Sequence, residues 1–186
     1  GYDHRFGKNR AADINDLIAF GKKYNFEVEQ ISAEEIDNVS ISSTKIRTAL
    51  QSGNIKLANE YLGYPYFING KVVKGKQLGR TIGYPTANIV VSDKYKLIPA
   101  IGVYAAYAII NDVKYYGMLN IGTNPTIGDN PLTIEMNIFD FNEDIYEQEI
   151  EIGFIDKIRN QQKFNSLDEL KLALSKDKEF ALNVIK

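Results

Sequence analysis

Cysteine is absent from this chain of 186 residues, and His4 is its only histidine. Together these absences exclude disulfides, thiol catalysis, the usual zinc ligand sets and any Ser-His-Asp triad built on another histidine. A charge excess of one sign is missing too: 22 Lys and Arg face 24 Asp and Glu, for a net charge of −2. Broad nucleic-acid binding needs a basic surface that displaces counterions, so no nucleic-acid partner is expected, although a local basic patch could still hold a small phosphate ligand. No apolar run approaches the roughly 18 residues of a membrane helix, and the N-terminus lacks the basic-then-apolar pattern of a signal peptide. A cytoplasmic protein with no membrane partner is the expectation. The chemistry left open uses carboxylates, hydroxyls, amides, basic side chains or a hard cation held by oxygen, a repertoire suited to Mg²⁺ and phosphate.

What is present is ordinary globular material, 44% hydrophobic and 25% charged, enough for one good core. Apolar spacing predicts a helix over Ile14–Tyr24 and a short strand over Phe26–Ile31. Ser43 is a good N-cap for a helix through Gln51, and Ile55–Leu62 makes a second helix after Gly53-Asn54. Gly63-Tyr64-Pro65 stops that helix and marks the expected domain boundary, separating residues 1–62 from 66–186. Beyond it the pattern is mostly strand. Val103–Ile110 is apolar on both faces and should be doubly buried. Asn111-Asp112 is a turn to a partner strand over Tyr115–Ile121. Ile134–Phe141 alternates, and Ile150–Ile155 is a further strand. Ser166 to Glu169 fits a capping box opening a helix with Leu170, Leu172 and Leu174, and a last helix over Lys178–Ile185 should bury Phe180 and Val184. Strands followed by helices suggest a small barrel with a helical tail. Asn69-Gly70 reads either as a hairpin turn or as the middle of one strand over Phe67–Lys74, with Gly70 as a bulge.

The run Gly75 to Asn88, GKQLGRTIGYPTAN, concentrates the candidate chemistry. Gly75, Gly79 and Gly83 recur every four residues with Lys76 and Arg80 between them. Glycines let backbone N–H groups approach phosphate oxygens, and basic side chains neutralise their charge. The spacing is neither a P-loop nor a dinucleotide fingerprint, and by itself it describes a flexible basic loop equally well. Pro85 fixes the entry to the following strand, aiming Thr86 and Asn88 to one side. A hydroxyl and an amide oxygen so placed can contact a hard cation while phosphates and waters complete its shell. They can equally just satisfy backbone groups at a strand start. Glu135 shares a strand face with Asn137 and Phe139, away from Ile134 and Met136, and by pattern alone is a solvent-facing carboxylate.

Those motifs together resemble the riboflavin kinase signature, in which a glycine-rich segment leads into Pro-Thr-Ala-Asn. Gly102-Val103-Tyr104, Asn120 to Thr126, Thr133 to Met136 and Arg159 to Phe164 follow at family-like distances. The resemblance covers Tyr66–Lys186. It implies a mainly β fold, a six-stranded Greek-key riboflavin-kinase-like barrel with C-terminal helices, and transfer of the ATP γ-phosphate to the ribityl 5′-hydroxyl of riboflavin to give FMN. It further implies that Thr86 and Asn88 contact Mg²⁺ and the ATP phosphates, that Gly75 and Lys76 line the phosphate loop, and that Glu135 is the catalytic base. Arg159 and Phe164 would face the flavin. The alternatives of another class are a flavin- or nucleotide-binding module without turnover and a small nucleic-acid-binding barrel. Thr86, Asn88 and Glu135 occurring together disfavour the first, and the charge of −2 disfavours the second.

The front of the chain, Gly1 to Gly7 with Asp3 and Arg10, and Ile41 to Arg47 with Ser43, Thr44 and Arg47, resembles two motifs of bacterial FMN adenylyltransferase domains. These precede the kinase domain in bifunctional FAD synthetases. Ser43 and Thr44 would open a helix whose N-terminus could hold phosphate. The family's Gly-rich turn and His-x-Gly-His motif are absent, and Ala12 stands where a glycine is common. The resemblance therefore implies an α/β remnant of a nucleotidyltransferase domain, whose upstream half belongs to the full-length protein, and no adenylyltransferase activity from this polypeptide.

Overall fold

The computed structural model describes residues 5–30, 35–36, 39–75, 77–123 and 132–185. Two compact units divide the chain, Gly1–Ser42 and Ser43–Lys186. In the first, helix α1 (Ile14–Tyr24) forms where its apolar spacing predicts, and both of its ends are capped. Asp13 accepts from the Asn15 N–H at 2.8 Å, and the Asp16 carboxylate accepts from the Asp13 N–H at 2.9 Å, a reciprocal capping box. Asn25 ends the helix with φ 57, a left-handed cap. The strand expected over Phe26–Ile31 does not form among its described residues, 26–30, and Ile31 lies outside them. The left-handed turn sends the chain back along α1, so that the Phe26 N–H donates to the Gly21 carbonyl and Val28 lies against Gly21. The short strands β1 (Glu35–Ile36) and β2 (Val39–Ser40) pair antiparallel.

The second unit opens with α2 (Ser43–Ser52) and α3 (Ile55–Leu62). Ser43 is the first helical residue of α2, one step inside the N-cap position expected for it. Six strands follow: β3 (Phe67–Val73), β4 (Ala87–Val91), β5 (Gly102–Ile110), β6 (Val113–Thr123), β7 (Leu132–Ile138) and β8 (Glu149–Arg159). Between β3 and β4 lies a single helical turn, α4 (Leu78–Thr81), and α5 (Leu167–Val184) ends the chain. The strands close into an antiparallel barrel in the order β3-β4-β7-β6-β5-β8. Strands β5, β6 and β7 form a meander, and β4 lies beside β7 rather than beside β5, which is the Greek-key arrangement.

β5 is buried along nearly its whole length because it is covered on both faces. Tyr104, Ala106, Ala108 and Ile110 enter the barrel core, whereas Ala105 packs outside it with Met118, Phe139 and Ala181 of α5. The β5–β6 turn has positive φ at both Asn111 (50) and Asp112 (64), as a tight two-residue hairpin demands. Three expectations change at the C-terminus. α5 is one helix where two were expected, because Ser175-Lys176-Asp177 contains neither Gly nor Pro to break it. Ala181, not Phe180, is its fully buried residue, and Phe180 is 37% exposed. The capping box forms by half: Ser166 Oγ accepts from the Glu169 N–H, but the Glu169 carboxylate reaches the Asn165 N–H.

The Gly63-Tyr64-Pro65 boundary expected from sequence falls inside the second unit. Leu50 of α2 with Ile55 and Ala58 of α3 share one core with Ile68, Tyr104 and Phe154 of the barrel. The Asn69-Gly70 ambiguity resolves as one continuous strand, since Gly70 keeps unbroken register with Val91 and Ile150. A Cβ at Gly70 would collide with Ile89 Cγ2 and with the Val90 carbonyl, so the glycine is there for close strand approach rather than for a turn. Gly70→Ala should therefore destabilise the fold by about 1–3 kcal/mol through overpacking, measurable as a lowered urea midpoint.

Candidate active site

The outer faces of β5, β6 and β7 supply one wall of a cavity of about 560 Å³, roofed by the Gly79–Tyr84 segment and by α5 with the chain leading into it. Val103, Met118, Tyr84, Phe164, Leu167, Leu170 and Leu174 make much of it apolar. Thr86, Asn120, Glu135, Asn137, Arg159 and Gln161 converge on it as polar groups. A largely apolar cavity with a few converging polar groups has the makeup of a small-molecule site. Across the β4–β7 seam lies a second cavity of about 290 Å³, lined by Arg80, Pro85, Thr86, Met136 and the Phe141–Tyr146 segment. Thr86 borders both. Its hydroxyl faces the Glu135 carboxylate at 3.4 Å, long for a hydrogen bond, so the two groups are juxtaposed without being locked together.

The β7 alternation expected from sequence places these groups. Ile134, Met136 and Ile138 enter the barrel core, which turns Glu135 and Asn137 outward into the cavity and Phe139 toward α5. In the β4–β7 ladder Asn88 stands opposite Glu135. Asn88 lies against Gly75, where any Cβ would collide with its amide, and it is not part of either cavity lining. Gly79 likewise gives close packing, against the Tyr84 carbonyl. The loop glycines thus hold the segment tight to the barrel as well as freeing its backbone.

Arg159 and Phe164 both line the larger cavity, with the guanidinium 5.5 Å from the Phe164 ring centroid. The Arg159 fork is already engaged: Nε and Nη2 each donate to Asp177 of α5 at 2.8 Å, and Nη1 donates to the Asn160 carbonyl at 3.2 Å. Asp177 is only 3% exposed. Sequence pattern did not single it out, because it falls in the stretch where a helix break was expected. Removing one partner of a buried pair strands the other charge. Asp177→Ala should cost about 2 kcal/mol, less than a fully dry pair because the Arg159 side chain keeps 21% exposure. An Arg159→Met/Asp177→Leu double variant should recover most of that loss in thermal denaturation.

A model of the riboflavin kinase family matches residues 62–185. The chain belongs to the riboflavin kinase family. A second family model, FAD synthetase, matches residues 1–45. The kinase match begins at the sequence boundary, whereas the packing boundary lies at Ser43, so the family border and the compact unit differ by the two helices α2 and α3. The chain is 40% identical over 187 residues to the bifunctional riboflavin kinase/FMN adenylyltransferase of Bacillus subtilis, covering 98% of this chain and 58% of that relative. To the protein of the same description from Haemophilus influenzae it is 41% identical, covering 97% and 58%. It thus spans less than two thirds of the relatives' length. A crystal structure described as a macrolide-efflux protein from Streptococcus pneumoniae matches with a TM-score of 0.89 at 40% identity, covering 98% of this chain and 59% of that one. No helix among the described residues here is long and apolar enough to cross a membrane.

Within this riboflavin kinase family member, Thr86, Glu135, Arg159 and Phe164 gather at the larger cavity, and Gly75 with Asn88 sits just beyond it. Lys76 and Asp3 lie outside the described residues. Arg10 belongs to the first unit, at the end of a short helical turn with φ 55. Ser43, Thr44 and Arg47 are exposed on the first turns of α2 in the second unit. Asn120, Asn137 and Gln161 are cavity residues to which sequence assigned no role. Asn137 could have been found by its sharing a strand face with Glu135.

Proposed function

We propose that this chain is an ATP:riboflavin 5′-phosphotransferase, with riboflavin in the larger cavity, the nucleotide phosphates reaching Thr86 from the smaller one, and FMN as product. The observation that carries it is the junction: Thr86 borders both cavities and its hydroxyl faces Glu135 at 3.4 Å. A primary alcohol entering from the flavin side would meet a carboxylate and a phosphoryl group together, as in-line transfer requires. Glu135 Oε2 takes the alcohol proton as the alcohol oxygen forms its bond to the γ-phosphorus, and the bond from that phosphorus to the β–γ bridging oxygen breaks to release ADP. With flavin bound, Leu170 and Leu174 of α5 would shield its side of the site from water and so limit hydrolysis.

The donors available beside the junction, the Thr86 hydroxyl and the carboxamide oxygen of Asn88 just beyond the cavity lining, fit a hard divalent ion such as Mg²⁺. Among the described residues no group of three His, Cys, Asp or Glu could hold a metal alone. The ion would therefore arrive with the nucleotide and be held by Thr86 and Asn88 together with phosphate oxygens, supplying charge neutralisation on them. Operation in the cytoplasm, without nucleic-acid or membrane partners, belongs to the same proposal and is supported by the cysteine-free composition and balanced charge.

Incubation with riboflavin, ATP and Mg²⁺ followed by chromatographic separation of the flavins tests this directly, and FMN is the expected product. Binding of both substrates with no FMN formed would mark a module without turnover. The full-length protein is proposed to add FMN adenylyltransferase activity, supported by the FAD synthetase match and by the naming of the relatives. FAD is not expected from this polypeptide, whose single histidine cannot supply a His-x-Gly-His motif. A measurable yield of FAD from FMN and ATP would overturn that expectation.

A further inference from the structure

Tyrosines apart, only two polar or charged side chains are buried among the described residues, and both line or flank the larger cavity: Asp177, paired with Arg159, and Asn137. Asn137 lies on β7 two positions beyond Glu135, on the same outward face. β4 and β7 share only two ladder pairs, Ala87 with Met136 and Asn88 with Glu135. Continuing that register by one step would set Thr86 opposite Asn137, but the ladder stops at Ala87. In its place the Asn137 side chain crosses the seam, and its Nδ2 donates to the Pro85 carbonyl at 2.6 Å. Pro85 has no N–H, so this carbonyl is the main-chain group it can offer to a partner. The side chain thus replaces the missing main-chain rung at the residue immediately before Thr86.

We propose that Asn137 is a positioning residue: its amide anchors the Pro85 carbonyl and so holds the Thr86 hydroxyl against Glu135 where the two cavities meet. Burying an amide is unfavourable unless it is hydrogen-bonded, and the short bond to Pro85 meets that requirement. With Pro85 φ fixed by its ring, anchoring its carbonyl defines where the next residue begins. Phosphoryl transfer depends mostly on alignment, so a displacement of Thr86 by about 1 Å could cost on the order of 10²-fold in rate. Neither the family match nor the glycine loop requires this contact. It appears only when β4 and β7 are seen side by side.

The inference rests on the kinase reading, and the test separates the two. Asn137→Leu keeps the branched shape and removes the donor. Asn137→His restores an N–H, because Nδ1 sits the same number of bonds from the backbone as the asparagine amide nitrogen. FMN formation is followed at saturating substrates, and riboflavin affinity and binding stoichiometry are read by flavin fluorescence. Asn137→Leu should lower kcat by about 10- to 100-fold with riboflavin affinity within about three-fold and full stoichiometry, and Asn137→His should return most of the rate. An active wild type with an unchanged Asn137→Leu rate overturns the positioning role. So does a loss in which rate and binding stoichiometry fall together, which would mark a purely structural contact, or a folded Asn137→His variant that recovers nothing. A wild type that binds flavin yet makes no FMN sinks the kinase reading, and the inference with it.

Discussion

Glu135→Gln should lower FMN formation by about 10²–10⁴-fold, the usual contribution of a positioned general base. Glutamine keeps the size of the side chain and its hydrogen-bonding contact to the Thr86 hydroxyl, but it has no basic oxygen to take the alcohol proton. Because Glu135 contacts Thr86 only at 3.4 Å, replacing it should not reorganise the junction. Riboflavin and ATP affinities should therefore stay within a few-fold, since the apolar wall from Met118, Tyr84, Phe164 and α5 is untouched. The loss should appear in kcat rather than KM, the signature of an interaction used in the transition state. Single-turnover formation of FMN, alongside flavin fluorescence titration, separates the two quantities. A fully active variant would mean that Glu135 is not the base. The residual rate would measure what alignment and charge neutralisation supply without it.

Phe154→Ala should destabilise the second unit by about 3–5 kcal/mol, a large share of the roughly 5–15 kcal/mol available to a typical domain. The Phe154 side chain is 0% exposed and meets Tyr104 edge-on, with ring centroids 5.5 Å apart and planes at 89°. Tyr66 lies on another side at 6.3 Å. Its main chain is also held: the N–H donates to the Tyr66 carbonyl at 2.8 Å, and the carbonyl accepts from Asn59 Nδ2 at 2.9 Å. Asn59 of α3 in turn accepts the Tyr66 N–H at 2.7 Å, so one side chain clips the helix pair to both β8 and the start of β3. The truncation would leave a cavity in the core that Leu50, Ile55 and Ala58 share with the barrel. The expected denaturation curve is one cooperative transition moved to lower urea. A loss below about 1 kcal/mol, or a separate early transition for the helices, would show that α2 and α3 are not part of the barrel's core.

The two variants also mark what local pattern could and could not reveal. Period-2 alternation around Glu135 put the carboxylate on the correct face of β7, and the doubly apolar run at Val103–Ile110 identified the strand covered on both sides. Helix α1 and the Asn111-Asp112 turn were legible for the same reason, since each depends on residues a few positions apart. Phe26–Val28 misled because its alternation is real but the left-handed Asn25 folds the segment against Gly21, and no strand forms among the described residues there. The helix break expected between Leu174 and Lys178 does not form. Asp177, a charged residue on the inward face, interrupts an apolar stripe, yet it is satisfied by Arg159 from another element.

By itself, then, the sequence determined the class of chemistry and most of the elements. Without cysteine, and with one histidine, the chemistry left open was that of oxygen donors and basic groups, and the resemblance around Pro85 to Asn88 named the reaction to expect. Tertiary structure alone decided three things: that α2 and α3 share the barrel's core, that Thr86 borders two cavities, and that Asn137 bonds the Pro85 carbonyl while Asp177 pairs with Arg159. The physical reason is barrel closure. Thr86 meets Glu135 across 49 residues of chain, and Asn137 meets Pro85 across 52, contacts that exist only once β4 is laid against β7. Local periodicity fixes which face a side chain takes, whereas the strand order fixes what it finds there.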